Sequence, residues 1–205
     1  MAAAPNNDQV LSQASFWDER YSESDGSAPT HEWYLTFPAL EAFFGAHLFG
    51  VPGLGPPDDL LILHLGSGDS TVPAELAARG YRRQLCVDFS SAVVELITRT
   101  HAATPGIEWR LMDGTLDAMI HGSLWSPLQD VRDNTAAYLR EVYRVLKDSG
   151  RFLYVTCWQP RFMESLLSPE GLQWYVEPQV LSVAGSLDNY GYVIRKTPGR
   201  AARKA

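Results

Sequence analysis

The chain has 205 residues and a formal net charge of -7, with 17 Lys and Arg against 24 Asp and Glu. Hydrophobic residues make up 45% of the sequence and charged residues 20%, which is typical of one folded domain and not of a disordered chain. Binding to a nucleic-acid backbone relies on clustered Lys and Arg. The acidic balance therefore argues against nucleic acid as the main partner and is compatible with a basic one.

The amino-terminal part is separated from the rest by a Gly- and Pro-rich joint at residues 50–57. We predict three regions: a helical, aromatic-rich segment with its linker at residues 1–57, a core at 58–197, and a disordered tail at 198–205. No run approaches the ~20 apolar residues that a membrane-spanning helix needs, and the amino terminus lacks the features of a targeting signal. We expect a cytoplasmic protein with no membrane partner.

Beyond the joint, apolar runs alternate between the periods typical of strands and helices. They predict, in chain order, a strand at 60–65, a helix at 71–79, a strand at 84–87, a helix at 91–101, a strand at 107–112, a helix at 134–147 and a strand at 151–157. Short turns between the first five of these elements, residues 60–112, imply parallel strands with right-handed crossovers. Two later extended segments, 172–183 and 190–196, predict an antiparallel hairpin. The fold class is α/β, a doubly wound, Rossmann-like sheet with a C-terminal hairpin.

One strand of such a sheet is missing from this pattern. The strand order 3-2-1-4-5 requires a fourth strand beside the first, yet no apolar β-like run occurs between Met112 and the helix near Asn134. Unless the strand at 151–157 closes up against the strand at 60–65, backbone groups at the gap lack partners. Each such group, if buried, costs about 1–3 kcal/mol.

Glycines and acids follow the first three strands. Gly66 and Gly68 come directly after the first strand, where the lack of side chains lets a ligand approach the backbone and the next helix offers free amides. Asp88 follows the second strand, about twenty residues further on, where an acid in these folds accepts hydrogen bonds from ribose hydroxyls. Phe89 would then lie against adenine. Asp113 ends the third strand at the same edge of the sheet.

Each of these features alone has an ordinary explanation, as a tight turn, a helix cap or a loop residue. Together they favour a pocket for a cofactor that contains adenosine. A nicotinamide cofactor is the first alternative, but position 71 is Thr where the dinucleotide fingerprint usually has its third glycine. The pattern therefore favours S-adenosylmethionine.

The segment before the joint carries Trp17, Tyr21 and Trp33, an unusual concentration of large aromatic residues. Simple packing against the edge of the sheet would account for them. Alternatively, they form a lid that stacks on the cofactor near its methionine end, because aromatic faces attract a cationic methylsulfonium.

The remaining chemistry-bearing residues indicate no further site. The spacing of the five histidines relative to cysteines and acids does not match a metal site, so we predict no metal. No nucleophile elbow or Cys/His pair indicates covalent catalysis, and no catalytic residue can be named. Cys86 and Cys157 each lie in an apolar run, which predicts two buried free thiols and a reducing compartment.

Several segments together resemble a known family: residues 16–21, 65–70, 87–91, 109–113 and 114–118. They resemble the class I methyltransferase-like family whose members methylate lysines of translation elongation factor 1A, over about residues 16–157. The resemblance implies S-adenosyl-L-methionine as the cofactor and an elongation factor 1A-like protein as the substrate. It also implies cofactor contacts at seven positions: Trp17, Tyr21, Trp33, Gly66, Asp88, Phe89 and Asp113.

The sequence departs from the family directly after Asp113. Family members place a loop and a fourth strand between the residues that match Asp113 and Gly114, which are adjacent here, so roughly fifteen to twenty residues of the usual sheet are absent. Three hypotheses remain. In the first, the chain is a protein-lysine methyltransferase. In the second, it is a truncated or noncatalytic member of the family with impaired cofactor binding, which arises from splicing or an imperfect gene model. In the third, it is a methyltransferase for small molecules.

Overall fold

The computed structural model describes most of the chain, namely residues 10–27, 34–56, 60–112, 116–183 and 187–197. Two residues of the predicted site, Trp33 and Asp113, lie outside the described residues. So does the predicted tail at 198–205.

Helices and strands alternate through the described residues much as the apolar periodicity predicts. They are α1 (Ala14–Ser22), α2 (Phe37–Phe44), β1 (Ile62–Leu65), α3 (Val72–Ala78), β2 (Gln84–Asp88), α4 (Ser91–Thr100), β3 (Ile107–Leu111), α5 (Leu116–Met119), α6 (Gln129–Val145), β4 (Phe152–Thr156), α7 (Pro160–Leu167), β5 (Trp174–Leu181) and β6 (Asn189–Lys196). A π-helical stretch, Gly45–Phe49, extends α2. Within the described part of the chain, no helix combines the length and apolarity needed to cross a bilayer.

Helix α4 illustrates why these residues form the elements they do. Its buried residues Val93, Leu96 and Ile97 recur at helical spacing and lie on one face. Ser90 begins the helix, because its Oγ accepts a hydrogen bond from the backbone N–H of Val93 at 3.3 Å. The helix therefore packs by its apolar face against both α1 and the sheet, and its N-terminus lies beside the end of β2.

Helix α6 begins earlier than the apolar pattern predicts. It starts at Gln129 rather than near Asn134, and its buried face includes Val131 and Thr135 as well as Leu139 and Val142. The first turn is mostly polar, and Thr135 is a polar residue on the buried face. The apolar pattern becomes regular only in the second half of the helix, which is why the predicted start was wrong.

Strands β1, β2 and β3 form a parallel sheet in that order, with Ile62 opposite Gln84 and Gln84 opposite Ile107. A second sheet has the order β4-β6-β5 and is antiparallel throughout. The predicted α/β fold, with a parallel sheet formed by the first three strands and a C-terminal hairpin formed by β5 and β6, is confirmed. Within the described part of the chain, no fourth strand lies beside β1.

The two sheets do not join. Among the described residues, β1 pairs only with β2 and β4 pairs only with β6. The closure of β4 against β1, which would have satisfied the backbone groups at the gap, does not occur. The position of the usual fourth strand is therefore a gap between two three-stranded sheets.

The two thiols differ in their surroundings. Both cysteines are free, and Cys86 in the middle of β2 is buried as predicted. The prediction is wrong for Cys157, which is exposed. The reason is its place in the chain: β4 ends at Thr156, so Cys157 lies in the turn that leads to α7 and not in the sheet.

The gap predicts a specific pattern of amide hydrogen exchange along β1. The N–H groups of Ile62 and Gly66 donate to carbonyls of the β2 segment, so by alternation those of Leu63 and Leu65 point away from β2. We expect these two amides to exchange at least about a hundredfold faster than the amide of Val87 in the central strand. Equal protection in residue-resolved exchange measurements would show that another segment pairs with this edge.

Candidate cofactor site

A cavity of about 390 Å³ occupies the gap between the two sheets. Its walls include β1 from Ile62 to Leu65 and β4 from Phe152 to Val155, the two strands that fail to pair. It extends to the loop at residues 66–68, where β1 ends. The volume lies within the range of about 300–1,000 Å³ that is usual for small-molecule and cofactor sites.

The loop after β1 depends on its two glycines. Gly66 and Gly68 have positive φ angles of 69° and 51°, which residues with a side chain rarely adopt. The N–H groups of Gly66 and Ser67 both donate to the carbonyl of Val87, at 2.9 and 3.2 Å, and hold the loop over the end of β2. A Cβ at Gly68 would lie 2.8 Å from the hydroxyl of Tyr21. The loop therefore leaves its backbone accessible from the cavity.

Asp88 connects this loop to the following helix. Its Oδ2 accepts a hydrogen bond from the N–H of Gly68 at 2.8 Å, and its Oδ1 accepts one from the N–H of Ser90 at 3.0 Å. Burial raises the pKa of the Asp88 carboxyl, and the backbone hydrogen bonds partly oppose that rise. Because a carboxylate has about four acceptor positions, Asp88 can still accept hydrogen bonds from a ligand.

Helix α1 covers the cavity from the other side. Trp17 and Tyr21 are both buried and stack on each other with their ring centroids 5.9 Å apart. They pack against Val93 and Ile97 of α4, and both also line the cavity. The two explanations for these aromatic residues are therefore compatible, because the same rings pack on the core and face the candidate site.

Asp18, which the sequence analysis did not single out, holds α1 in this place. Its Oδ1 accepts hydrogen bonds from the Ser90 hydroxyl at 2.7 Å and from the N–H of Ala92 at 3.1 Å. The hydrogen bond from Ser90, followed by that from Ala92, lowers the pKa of the Asp18 carboxyl. A negative charge at the N-terminus of a helix is also favourable for the helix dipole. No local pattern reveals this contact, because the partners are 72 and 74 residues away.

The structure brings five of the seven predicted site residues to one cavity. Its lining includes Trp17, Tyr21, Gly66, Asp88 and Phe89. The other two, Trp33 and Asp113, lie outside the described residues.

The lining suits a polar, cationic cofactor. Ser67 Oγ is buried at the cavity wall and has no hydrogen-bond partner within the described residues, an arrangement that a polar ligand atom would satisfy. The described lining contains the acids Asp88 and Asp117 and includes no Lys or Arg. A sulfonium cofactor with ribose hydroxyls therefore fits the side chains that are present.

Asp117 on α5 is a second residue that the sequence analysis missed. Its Oδ1 accepts hydrogen bonds from the Tyr154 hydroxyl at 2.6 Å and the Thr156 hydroxyl at 3.2 Å. Burial raises the pKa of the Asp117 carboxyl to about 6, although these hydroxyls act in the opposite direction. Both partners belong to β4, far away in the sequence, so no local pattern indicated this contact. The family resemblance of residues 114–118 was the sequence feature that drew attention to this segment.

Replacement of Gly68 by alanine tests the glycine loop. We expect the positive φ angle and the contact with Tyr21 to lower the free energy of unfolding by about 2 kcal/mol and to weaken cofactor binding. Gly53→Ala is the matched control, because Gly53 has a φ of 80° with nothing within 4 Å of an added Cβ. Urea denaturation of both variants, and of Gly68→Ala with Tyr21→Phe, separates backbone strain from the contact. Equal losses in the two single variants would contradict a role for the contact.

Comparison with known sequences identifies relatives of the chain. The methyltransferase domain family matches residues 63–154. EEF1A lysine methyltransferase 4 of Mus musculus is 30% identical over 177 residues, which cover 77% of this chain and 66% of that protein. The Bos taurus protein of the same name is 30% identical over 169 residues, which cover 73% of this chain and 63% of that protein. The chain thus spans just under two thirds of the length of these relatives.

Comparison with solved structures supports the same fold. A SAM-dependent methyltransferase from Anabaena variabilis superposes with a TM-score of 0.58 at 13% identity, covering 96% of this chain and 98% of that one. At this identity the likeness concerns the fold alone. Residues 63–154 thus match the methyltransferase domain family, and the chain is similar to class I methyltransferases and to the two EEF1A lysine methyltransferases.

Proposed function

We propose that the chain binds S-adenosylmethionine in the cavity between its two sheets and transfers the methyl group to a lysine of an elongation factor 1A-like protein. The observation that carries this proposal is the convergence of the glycine loop, Asp88 and the aromatic residues of α1 on one cavity. The family relationship supports both the cofactor and the class of reaction.

The residues at the cavity suggest how each part of the cofactor would be held. The backbone of Gly66 and Gly68 allows the methionine part to approach closely, and Asp88 would accept hydrogen bonds from the ribose. Phe89 would lie against adenine, and Trp17 and Tyr21 would lie near the sulfonium. Trp33 and Asp113 remain predicted contacts on the basis of the resemblance.

Transfer of this kind depends mainly on positioning. When bound, S-adenosylmethionine supplies an electrophilic methyl group on a cationic sulfur. The chain has to hold the acceptor amine, after it has lost its proton, in line with that methyl group at about 3 Å and exclude water from the site. The rings of Trp17 and Tyr21 and the apolar walls from β1 and β4 provide such a water-poor surface.

A protein acceptor is favoured by two observations. The relatives with 30% identity are named for lysine methylation of EEF1A. The net charge of -7 also favours approach of a basic protein surface. A cytoplasmic location would follow from a translation factor as the substrate. We further propose residues 1–57 as lid and linker and 58–197 as the methyltransferase core.

A second candidate function is a truncated or noncatalytic family member with impaired cofactor binding. The unpaired edges of β1 and β4 favour it, because the segment that usually separates them also contributes to the cofactor and acceptor sites in the family. This candidate predicts a weakened cofactor site and no transfer.

Transfer of a radiolabelled methyl group from S-adenosylmethionine to purified elongation factor 1A tests the proposal. We expect label on a lysine with the wild-type chain and none with Asp88→Ala. Cofactor binding without label on any protein would favour the noncatalytic candidate. If the label is recovered in small molecules and not in protein, the acceptor is a metabolite and not a protein.

A further inference from the structure

Asp117 lies in a cluster of tyrosines that the cofactor assignment does not use. The hydroxyls of Tyr154 and Tyr34 hydrogen-bond to its carboxyl, as does that of Thr156. Tyr138 on α6 is close enough for the Asp117 charge to affect it, and burial is the main cause that raises the pKa of its hydroxyl. Asp117, Tyr34, Tyr138 and Tyr154 all line the same cavity. We call these four residues the Asp117 cluster.

The charge of Asp117 is not balanced by a cation in the cavity. The described lining includes no Lys or Arg. The remaining basic group of that lining, His64, is held neutral, because burial lowers its pKa to about 4. Its Nε2 lies 2.7 Å from Gln84 Oε1, while the Gln84 amide donates to the carbonyls of Pro73 and Tyr81. A carboxylate away from water is costly unless a cation pairs with it, which points to a cation supplied by a ligand.

We propose that the Asp117 cluster is a binding subsite for a primary ammonium group inside the cavity. The carboxylate would pair with the charge through a charge-assisted hydrogen bond, and the faces of the tyrosine rings would favour the cation over water. Tyr154 and Thr156 donate to one oxygen, Oδ1, so they fix the orientation of the carboxyl. This proposal rests on the proposed function, and it names the residue that recognises an amine at that site.

Two ligands of the proposed reaction carry such a group. One is the side chain of an acceptor lysine, and the other is the amino group of the methionine part of S-adenosylmethionine. Both present a primary ammonium at neutral pH, because an unperturbed lysine amine has a pKa of about 10.4. The cluster recognises this shared chemistry, and separate ligands distinguish the two sources.

The first arm of the test uses a lysine side-chain analogue. The full chain, without cofactor, is titrated with n-butylammonium and with neutral 1-butanol and followed by NMR. We expect Asp117→Asn to weaken butylammonium binding at least about tenfold and to leave butanol binding unchanged, because only the ammonium uses the charge. Asp133→Asn is the control, since Asp133 is exposed on α6 and lies outside the cavity lining.

The second arm uses the cofactor. S-adenosylmethionine and 5′-methylthioadenosine, which lacks the amino-acid part, are titrated by calorimetry into the same variants. If the cluster holds the cofactor amine, Asp117→Asn weakens binding of S-adenosylmethionine at least about tenfold and leaves 5′-methylthioadenosine unchanged. A loss confined to the ammonium-bearing ligand in either arm supports the subsite and identifies its source.

The pH dependence of the wild-type chain gives a test that needs no variant. Butylammonium affinity should fall as the pH is lowered through about 6, while butanol affinity stays constant. The groups that face Asp117 are Tyr34, Tyr138, Tyr154 and Cys157. Burial raises the pKa of Tyr138, Tyr154 and Cys157, so they stay neutral at this pH.

Losses of equal size for charged and neutral ligands, or no loss in either arm, would overturn the subsite. Butylammonium affinity that does not change with pH would also overturn the subsite, and this result can be obtained even if Asp117→Asn fails to fold. Failure of the proposed function is a separate result. In that case neither S-adenosylmethionine nor 5′-methylthioadenosine binds the wild-type chain, whereas the butylammonium arm still reports on the Asp117 cluster.

Discussion

Replacement of Asp88 by alanine is expected to abolish measurable S-adenosylmethionine binding and to lower the free energy of unfolding by about 1–3 kcal/mol. The carboxyl accepts hydrogen bonds from the N–H groups of Gly68 and Ser90, and alanine leaves both amides without that partner. The glycine loop would then lose its connection to the start of α4. Calorimetric titration and urea denaturation measure the two effects.

Asp133→Ala is the control for this prediction, because Asp133 is exposed on α6. We expect it to change the free energy of unfolding by no more than about 0.5 kcal/mol and to leave cofactor binding unchanged. A loss of stability in Asp88→Ala with unchanged affinity would mean that Asp88 only shapes the loop and doesn't contact the cofactor.

Replacement of Asp117 by asparagine is expected to stabilise the protein at neutral pH. Burial raises the pKa of this carboxyl from 3.8 to about 6, so the folded state binds the proton more tightly than the unfolded state does. Stability therefore falls as the pH rises between about 4 and 6, and the cost is fully present above that window. Asparagine removes the charge and keeps an oxygen that can accept from Tyr154 and Thr156. We expect a gain of about 1–3 kcal/mol.

Urea denaturation at several pH values checks this expectation. Relative to the wild type, the advantage of Asp117→Asn should vanish below about pH 4 and grow through the window up to about pH 6. A variant that is less stable than the wild type at neutral pH would show that the ionised carboxyl contributes net stability. The expected result fits a residue retained for binding at a cost to stability, as functional sites often are.

The alternation of strands and helices was predictable because each element buries one regular face. β1 is a short, mostly apolar run, β3 alternates apolar with charged residues, and α4 shows the helical spacing of Val93, Leu96 and Ile97. The C-terminal hairpin was predictable for the same reason. The missing strand could be inferred as well, because a doubly wound order has a required position that no apolar run could fill.

The contacts that shape the site could not be predicted from local pattern. Asp18 reaches the N-terminus of α4, and Asp117 reaches Tyr154 and Thr156 on β4. These partners are brought together only by the packing of whole elements. Spacing within a segment carries no information about such pairs, and neither acid stands out among the many acids of the chain. The glycine loop and Asp88 could be predicted from the sequence, because the number of residues between them is fixed by the one helix, one turn and one strand that separate them.

The gap beside β1 gives the glycine loop a different setting from a complete doubly wound sheet. Its cavity continues between β1 and β4, so one space includes the candidate cofactor contacts and the Asp117 cluster. This arrangement widens the site and exposes one edge of β1 to it. Cofactor affinity is therefore the property that decides whether the site works in this chain.

Calorimetric titration of the purified chain with S-adenosylhomocysteine, the product form of the cofactor, tests the central claim most directly. The account predicts saturable binding of one molecule per chain, lost in Asp88→Ala and retained in Asp133→Ala. Absence of saturable binding to the folded wild-type chain would contradict the assignment of the cavity as the cofactor site.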